Sequence, residues 1–462
     1  MTIFAASAVL TMAVFIAAGI WFGRKSRSFC DYSMAGRECG TLGVSGVLLG
    51  SLVGGASTVG TVQMAYQWGL SAWWFTLGGG LGCLVLGIWF AVPLRRSGME
   101  TIPGFISLSY GRATGNVAVL ASVTGTFISI VAQFLSGAAL LRGAFPAPGP
   151  VSVLLVGVLV LSFIFMGGLK SFSAIGVGKI ALLYLTLAIC AAASVRGLLS
   201  FPGTPVRLPM DPFLNLFGQG IGKGLCSGLS LITGVLCTQI YIQAVFSAST
   251  PETARKGALL SALLMPPLGI LGIIVGLGMR KTGVVVESSA ALSHFIGANF
   301  NPWLGGLLWG GILITVIGTA AGLTLGVATN LVSDLLASSI NLKGSEKGQA
   351  WATRIVVLML VISSGIIGSA GQGSMILKWS YLSMGLRASG TFFPLAASVL
   401  APERLSPNIA LLSGVAGLMT TVLWPLAKIP PQPLFAGLAV SAIIAMTGIS
   451  CGSGKKPLPQ DN

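Results

Sequence analysis

Residues 51–63, SLVGGASTVGTVQ, interrupt an apolar stretch of the chain with glycines and hydroxyl side chains. Residues 224–234, GLCSGLSLITG, interrupt a second apolar stretch in the same way. Interrupted helices at corresponding positions of two halves are typical of membrane proteins built from inverted repeats, whose binding site lies at the breaks. Alternatively, glycines merely let helices pack closely, and the 65 glycines of the chain leave that interpretation open.

The two interruptions belong to the second and seventh of about thirteen apolar stretches, each long enough to cross a bilayer. These stretches lie near residues 3–22, 42–65, 72–94, 115–141, 150–168, 174–195, 224–246, 257–279, 302–330, 355–372, 376–398, 408–426 and 432–450. The connections are too short for a soluble domain. The sequence therefore predicts an all-α polytopic membrane protein, and the odd spacing between the interrupted stretches makes its two halves inverted.

The composition supports this fold class. Only 8% of the residues are charged and 54% are hydrophobic, whereas roughly a quarter of a soluble protein is charged. The net charge of +16 would by itself suggest nucleic acid. However, the basic residues lie singly or in small groups between apolar stretches, without the readout surface that nucleic-acid recognition needs. No nucleic-acid partner is expected.

The basic residues also predict the orientation in the membrane. The segment MTIFAAS before the first stretch has no basic residue, whereas GRKSR follows that stretch directly, which argues against a cleaved signal peptide. The N-terminus is then expected outside and the C-terminus in the cytoplasm. With this orientation Lys and Arg, including Lys179, are about twice as frequent on the cytoplasmic side. We expect a bacterial-type inner membrane.

Ionisable and reactive groups are scarce within the stretches. The ten acidic residues lie in connections, in the tail or at the end of a stretch, and the one histidine, His294, lies in a predicted external loop. A proton relay normally needs such groups inside the membrane, so proton coupling is not expected. The seven cysteines complete no disulfide framework or zinc site, and no catalytic motif is present. We expect neither an enzyme nor an organic cofactor.

A sodium site needs no carboxylate, because hydroxyls and free backbone carbonyls can hold the ion. The segment ASTV at residues 56–59 offers such groups beside the glycines of the second stretch. The ninth stretch offers Thr315, Gly318 and Thr319 within ILITVIGTAAG. The alternative for any one membrane threonine is a hydroxyl that bonds back to its own helix.

Arg387 is the basic residue found well inside a stretch, the eleventh. A charge there is costly and usually faces a cavity or a partner. Because no stretch contains a carboxylate, we expect an anionic substrate or backbone carbonyls as its partner; the alternative is a side chain that reaches the membrane interface. Gln63 and Gln239, in the two interrupted stretches, could contact a substrate or a neighbouring helix.

Several motifs resemble the sodium:solute symporter family, in the right order over roughly residues 20–400. They are CDYSMAGRECG, GGASTVGTVQMAYQWGLSAWW, METIPGFISLSYGRATG, FMGGLKSFSAIGVGKI and TQIYIQAVFSASTPETARKGALLSA. The resemblance implies the leucine-transporter fold. An extra N-terminal helix and a cytoplasmic loop would occupy residues 1–40, two inverted five-helix repeats residues 41–198 and 199–400, and two C-terminal helices residues 401–462. It also implies alternating access driven by Na⁺ as the coupling ion.

The resemblance further implies the residues of the site. Carbonyls of Ala56, Val59 and Thr315 would bind Na⁺ together with the pair Gly318–Thr319, where the family often has two hydroxyls and this chain has one. Gln63 matches a sugar-contacting glutamine of some members, but Gly234 and Val235 replace their aromatic gate, which disfavours a sugar. The expected substrate is a small carboxylate or zwitterion, bound by Ser57, Thr58, Gln63, Gln239 and Arg387.

Two other functions stay open at this stage. One is a membrane sensor or receptor of the same fold that does not transport; such proteins usually carry a signalling domain, whereas about a dozen residues follow the last stretch. The other is a transporter that is coupled to protons or to no ion. The expected partners are the lipid bilayer and a small solute, with no obligatory protein partner.

Overall fold

The computed structural model describes residues 2–23, 37–145, 147–165, 168–199, 207–332, 346–427 and 432–450. These residues form helices, and the part of the chain so described contains no strand beyond a single parallel bridge between Cys39 and Ala248. In chain order the helices are α1 (Thr2–Gly23), α2 (Thr41–Leu52), α3 (Thr61–Trp68), α4 (Trp73–Val85), α5 (Ala91–Arg96), α6 (Ile102–Tyr110), α7 (Arg112–Ala144), α8 (Gly149–Phe165), α9 (Gly168–Leu199), α10 (Met210–Phe213), α11 (Ile221–Leu236), α12 (Gln239–Phe246), α13 (Pro251–Lys281), α14 (Ala291–Asn299), α15 (Pro302–Asn330), α16 (Glu346–Ala370), α17 (Ile376–Leu400), α18 (Pro407–Ala427) and α19 (Pro433–Ser450).

The helices agree with the predicted membrane spans. Eight helical segments of the described residues are long and apolar enough to cross a membrane, and the bent pair of α11 and α12 would make a ninth. Shorter apolar helices lie in α1, α2 and α8. The prediction of an all-α polytopic membrane protein is confirmed, whereas the number of thirteen spans stays a prediction. The predicted cytoplasmic tail and most of the first loop, residues 24–36, lie outside the described residues.

Several long helices begin at a capped proline turn. The side chains of Thr101, Thr250 and Asn301 each accept a hydrogen bond from the backbone N–H three residues later, at the start of α6, α13 and α15 respectively. In each case a proline lies in the first turn, where its missing N–H costs nothing. These local signals fix where the helices that surround the site begin.

The first interruption is a break between α2 and α3. Val53 leaves the helix with an extended backbone (φ −90°, ψ 104°), and residues Ala56–Gly60 form a π-helical turn before α3. A Cβ at Gly54 would lie 2.6 Å from Thr319 Oγ1, and one at Gly55 would lie 2.2 Å from Ser136 Cβ. The glycines are therefore required because the broken backbone lies directly against α15 and α7.

The second interruption is a break between α11 and α12, which meet at an angle of 44°. Thr238 has an extended backbone (φ −100°, ψ 115°) between the two helices. A Cβ at Gly234 would lie 2.6 Å from Met384 Cβ, so this break lies against α17. The first predicted interruption, residues 51–63, contains its break, whereas residues 224–234 lie within the continuous helix α11 and the second break follows them at Cys237 and Thr238. At both breaks the backbone approaches another helix closely.

A short backbone bridge joins the two broken helices at one end. The N–H of Cys39, just before α2, donates to the carbonyl of Ser247 (3.1 Å), and the N–H of Ser249 donates to the carbonyl of Cys39 (3.0 Å). Ser247 follows α12 directly. The N-terminal end of the first broken helix is therefore held to the C-terminal end of the second.

The structure corrects one prediction about charge. Lys179 was expected on the cytoplasmic side, but it lies inside α9 and is only 3% exposed. It is eleven residues after the start of α9 at Gly168, which corresponds to about 16 Å along the helix axis. Because the predicted stretch began at residue 174, Lys179 was expected close to the membrane surface. In the structure it is instead buried among helices.

Candidate functional site

The hydroxyls of the first break bond to the break itself. Ser57 Oγ donates to the carbonyl of Gly54 and accepts from its N–H, both at 3.0 Å. Thr58 Oγ1 donates to the same carbonyl at 2.8 Å. Both side chains are fully buried. In this arrangement Ser57 and Thr58 hold the break in shape, which is the alternative considered for single membrane hydroxyls.

A cluster of oxygens lies between the end of α2 and the middle of α15. Thr319 Oγ1 is 3.0 Å from the carbonyl oxygen of Val53 and 3.3 Å from that of Gly50. Helix α2 ends at Leu52, so carbonyls of its last turn lack the usual helical partners. The break and α15 come together here, and the carbonyls within hydrogen-bond distance of Thr319 Oγ1 are those of Gly50 and Val53.

The ammonium of Lys179 lies within this oxygen cluster. Its Nζ donates to the carbonyl of Gly50 at 2.5 Å and to Thr319 Oγ1 at 2.6 Å. A positive charge is favoured at this point because the C-terminal end of α2 carries the negative end of the helix dipole. The one ion pair that the described residues form is elsewhere, between Arg142 and Glu287, so Lys179 is held by neutral oxygens.

Two of the other expected sodium ligands take part in hydrogen bonds within their own segments, and whether the carbonyls of Val59 and Thr315 bind an ion stays a prediction. The hydroxyl of Thr315 donates to the carbonyl of Ile312 in its own helix at 2.6 Å. The carbonyl of Ala56 accepts from Thr61 Oγ1 at 3.2 Å, inside the π-helical turn. At Gly318 a Cβ would be 3.8 Å from Lys179 Nζ, so the position without a hydroxyl faces the ammonium.

Gln133 of α7 also supports the first break, although the sequence analysis did not single it out. Its Oε1 accepts a hydrogen bond from the N–H of Gly55 at 2.7 Å, and the residue is buried. A long polar side chain in the middle of an apolar stretch is the signal that could have indicated it, as it indicated Gln63 and Gln239.

Arg387 is fully buried beside the second break. Its guanidinium donates from Nη1 to Thr238 Oγ1 (2.6 Å) and from Nη2 to Ser383 Oγ (2.6 Å) and Ser129 Oγ (3.2 Å). Its Nε donates to the carbonyl of Ser383 at 3.1 Å. The side chain therefore does not reach the membrane interface; it joins α17 to α7 and to the break between α11 and α12.

The close approach of α7 and α17 at Arg387 depends on a glycine. A Cβ at Gly125 would lie 2.5 Å from Arg387 Cγ and 2.7 Å from the carbonyl oxygen of Ser383. Because no side chain stands between the two helices there, the guanidinium can extend through the packed interior.

The two glutamines of the broken helices each hold the start of another helix. Gln63 of α3 accepts from the N–H of Ile376 (3.0 Å) and donates to the carbonyl of Ser374 (3.3 Å), at the start of α17. Gln239 of α12 accepts from the N–H of Ile102 and donates to the carbonyl of Glu100, both at 3.0 Å, at the start of α6. Each amide therefore uses both its ends on backbone groups.

A cavity of about 530 Å³ lies between α3, α11, α17 and the start of α19. Its wall includes Met64, next to Gln63, and Gly385, two residues before Arg387. Lys223 and Lys378 also line it, and none of its described lining residues is acidic. The cavity is therefore large enough for a small organic molecule and its charge favours an anion.

Comparisons with known proteins agree with this geometry. A family model described as the sodium:solute symporter family matches residues 32–417. Among solved structures, the chain is similar to a substrate-bound, outward-open Na⁺-coupled sialic acid symporter, with a TM-score of 0.76, 15% identity and 99% of each chain covered.

More distant similarity extends to two other transporters. One is the manganese transporter of Eremococcus coleocola, with a TM-score of 0.54, 14% identity, and 90% of this chain and 92% of that chain covered. The other is a nucleobase-cation-symport-1 family transporter in a closed conformation, with a TM-score of 0.52, 16% identity, and 93% and 96% covered. At these identities the structures show the fold, which is the expected leucine-transporter-like arrangement.

Proposed function

The chain belongs to the sodium:solute symporter family, and we propose that it imports a small organic anion or zwitterion together with Na⁺ by alternating access. It is an integral, multi-pass membrane transporter and not an enzyme. Na⁺ as the coupling ion follows from the family. Family membership favours this function over a sensor that does not transport and over a transporter driven by protons or by no ion.

The observation that carries the substrate class is Arg387. The residue is buried beside a helix break, and the described residues provide hydroxyls and one carbonyl as its hydrogen-bond partners but no carboxylate at ion-pair distance. A carboxylate of the solute would supply the missing counter-charge and could accept two parallel hydrogen bonds from the guanidinium. This supports an anionic group on the substrate.

The cavity supports the same substrate class. Lys223 and Lys378 line its wall, and like charges around a water-filled recess raise the local concentration of an anion. Gly385 and Ser230 place the inner end of the cavity near α17 and α11. We propose that the solute enters through this cavity and then binds the guanidinium of Arg387. The solute carboxylate would replace the hydroxyls of Ser129 and Thr238 as acceptors of the guanidinium's hydrogen bonds.

Alternating access would then proceed by rocking of the repeats, residues 41–198 and 199–400, around the two breaks. Gln63 and Gln239, proposed from the sequence as substrate contacts, hold helix starts at two different places in this structure. They are proposed here to stabilise closure of the two ends of the pathway. Ser57 and Thr58, whose hydroxyls bond to Gly54, are proposed to keep the first break in shape.

Uptake into proteoliposomes tests this function. A labelled small carboxylate should accumulate above its external concentration when Na⁺ is higher outside, and should not accumulate when K⁺ replaces Na⁺. We also propose that the protein lies in an inner membrane with its N-terminus outside. In right-side-out vesicles of that membrane, Na⁺ added to the external medium should therefore drive uptake. Accumulation that follows an imposed pH gradient and ignores Na⁺ would overturn the coupling.

The substrate can be searched for directly. Carboxylates, amino acids and sugars should be screened by thermal stability of the purified protein, because a ligand of the folded state raises its unfolding temperature by mass action. We expect stabilisation by small carboxylates or zwitterions. A response confined to sugars would contradict the proposed role of Arg387.

A further inference from the structure

We propose that the ammonium of Lys179 is a built-in cation that occupies the position between the first break and α15, so that Na⁺ does not bind there. The inference rests on the proposed function for the identity of the excluded ion, Na⁺, but not for transport itself. Any Na⁺ that the protein carries would then bind elsewhere.

Lys179 Nζ lies among oxygens of the type that bind Na⁺. Gly50 carbonyl, Val53 carbonyl and Thr319 hydroxyl are the kinds of oxygen that hold Na⁺ at a broken membrane helix. Lys179 Nζ is 2.5 Å from the first and 2.6 Å from Thr319 Oγ1, which in turn contacts Val53. The ammonium thus occupies the Thr319 hydroxyl, the one hydroxyl among the expected sodium ligands, and like-charge repulsion disfavours a second cation beside it.

The groups around Nζ also fit an ammonium better than a sodium ion. Gly318 supplies no hydroxyl, and a Cβ built there would be 3.8 Å from Nζ and 3.7 Å from Cζ of the Phe163 ring. An ion at this point would therefore meet an aromatic ring and an ammonium where a second hydroxyl would help to bind it. Sodium prefers oxygen ligands, so the residues present fit a tethered ammonium better than the ion.

The C-terminal end of α2 can hold a charged lysine. The side chain is 3% exposed, and the carbonyls of the last turn of α2 are available because the helix stops at Leu52. The negative end of that helix points at the ammonium. The break that would create an ion site thus also stabilises the lysine that replaces the ion.

The test is the number of ²²Na⁺ ions that bind per purified chain at saturation. Lys179→Ser removes the charge, opens space and adds a hydroxyl, and should bind one Na⁺ more than the wild type. Lys179→Arg keeps a cation and should show no gain. Lys256→Ser, which removes an exposed lysine of α13, is the matched control and should equal the wild type.

A second substitution locates the gained ion. In the double variant Lys179→Ser with Thr319→Val, the extra Na⁺ should be lost, because valine has the shape of threonine without its hydroxyl. Equal Na⁺ stoichiometry in the wild type and Lys179→Ser would overturn the inference. So would a gained ion that survives removal of the Thr319 hydroxyl.

The wild-type protein provides a measurement that does not depend on the folding of a variant. In a structure determined with Tl⁺ in place of Na⁺, we expect no Tl⁺ bonded to Thr319 Oγ1 and the carbonyls of Gly50 and Val53. A Tl⁺ ion at that position would overturn the inference. Uptake that ignores Na⁺ would instead overturn the proposed coupling, and a gained ion in Lys179→Ser would still support the inference.

Discussion

Each of the two helix breaks has a buried cation beside it, but the two cations are held in different ways. Lys179 lies at the break between α2 and α3 and donates to a backbone carbonyl that the broken helix leaves free, together with one hydroxyl. Arg387 lies at the break between α11 and α12 and donates mainly to hydroxyls of α7, of its own helix α17 and of the break itself. A point charge held by backbone oxygens is equivalent to a bound metal ion, whereas a planar guanidinium held by hydroxyls can change partners for a carboxylate. With the two proposals above, the difference assigns a fixed, built-in cation to the first break and solute binding to the second.

The largest expected effect is at Arg387. Arg387→Gln should lower uptake of an anionic solute by at least about 30-fold, because truncating one partner of a buried, hydrogen-bonded charge pair costs about 2–5 kcal/mol. Arg387→Lys should recover part of the uptake, since it restores the charge without the planar donors. Solute-induced thermal stabilisation should follow the same order.

Arg96→Gln removes an exposed arginine at the end of α5 and serves as the control, with uptake at the wild-type level. If Arg387→Gln transports the anion as well as the wild type does, the guanidinium only joins helices. The distinction between a first break that holds a fixed cation and a second break that binds the solute would then fail.

An intermediate effect is expected from added methyl groups at the breaks. Gly55→Ala should destabilise the protein by about 1–3 kcal/mol, because its Cβ would meet Ser136 Cβ at 2.2 Å and neither atom can move independently of its helix. Gly234→Ala should cost less, since its Cβ would meet Met384 Cβ at 2.6 Å, a less severe approach than the 2.2 Å at Gly55. The unfolding temperature in detergent measures both.

The double variant Gly55→Ala with Ser136→Gly should regain stability, because it removes the atoms that clash. Equal losses for Gly55→Ala and Gly234→Ala would contradict the conclusion that the first break is the more tightly packed of the two.

The smallest effect is expected at the two glutamines. Gln63→Leu removes the acceptor of the Ile376 N–H, and Gln239→Leu removes that of the Ile102 N–H. Each change removes hydrogen bonds at one helix start only, with a local loss of about 1–1.5 kcal/mol, so we expect roughly tenfold faster hydrogen–deuterium exchange at residues 374–376 in the first variant and at 100–102 in the second.

Gln67→Leu is the control for this pair, because Gln67 donates to a side chain, Ser288 Oγ, and not to a backbone group of either segment. If Gln63→Leu and Gln239→Leu loosen the same segment, the two glutamines do not act at separate places.

Most of the fold could be predicted from the sequence, because a helix in lipid must satisfy its own backbone and therefore appears as a long apolar stretch. The first break was visible for the same reason, since the glycines and hydroxyls of residues 51–63 depart from that pattern. The glycines of residues 224–234 pointed to the right span, but they lie within α11 and the second break follows at Cys237 and Thr238. The family and its fold followed from motifs spread along the chain and are confirmed.

The details of the site were less predictable. Arg387 was indicated because it lies in the middle of its apolar stretch. Lys179 lies near the start of its stretch, which was predicted from residue 174. The first six residues of α9, residues 168–173, are too polar for the sequence to show that the helix already begins at Gly168. The carbonyls that face Thr319 precede the glycines, because a helix leaves its last carbonyls unpaired before the point at which it ends. Composition marks the glycines but not those carbonyls.

The backbone bridge at Cys39 has a mechanical consequence. The bridge holds the N-terminal end of α2 to the C-terminal end of α12. The two helix breaks are therefore connected through hydrogen-bonded backbone, which limits how far they can move relative to each other. A displacement that starts at Lys179 can be passed along α2, across Cys39 and Ser247, and up α12 to Thr238 beside Arg387. Any movement that separates the start of α2 from the end of α12 would have to break these two backbone hydrogen bonds.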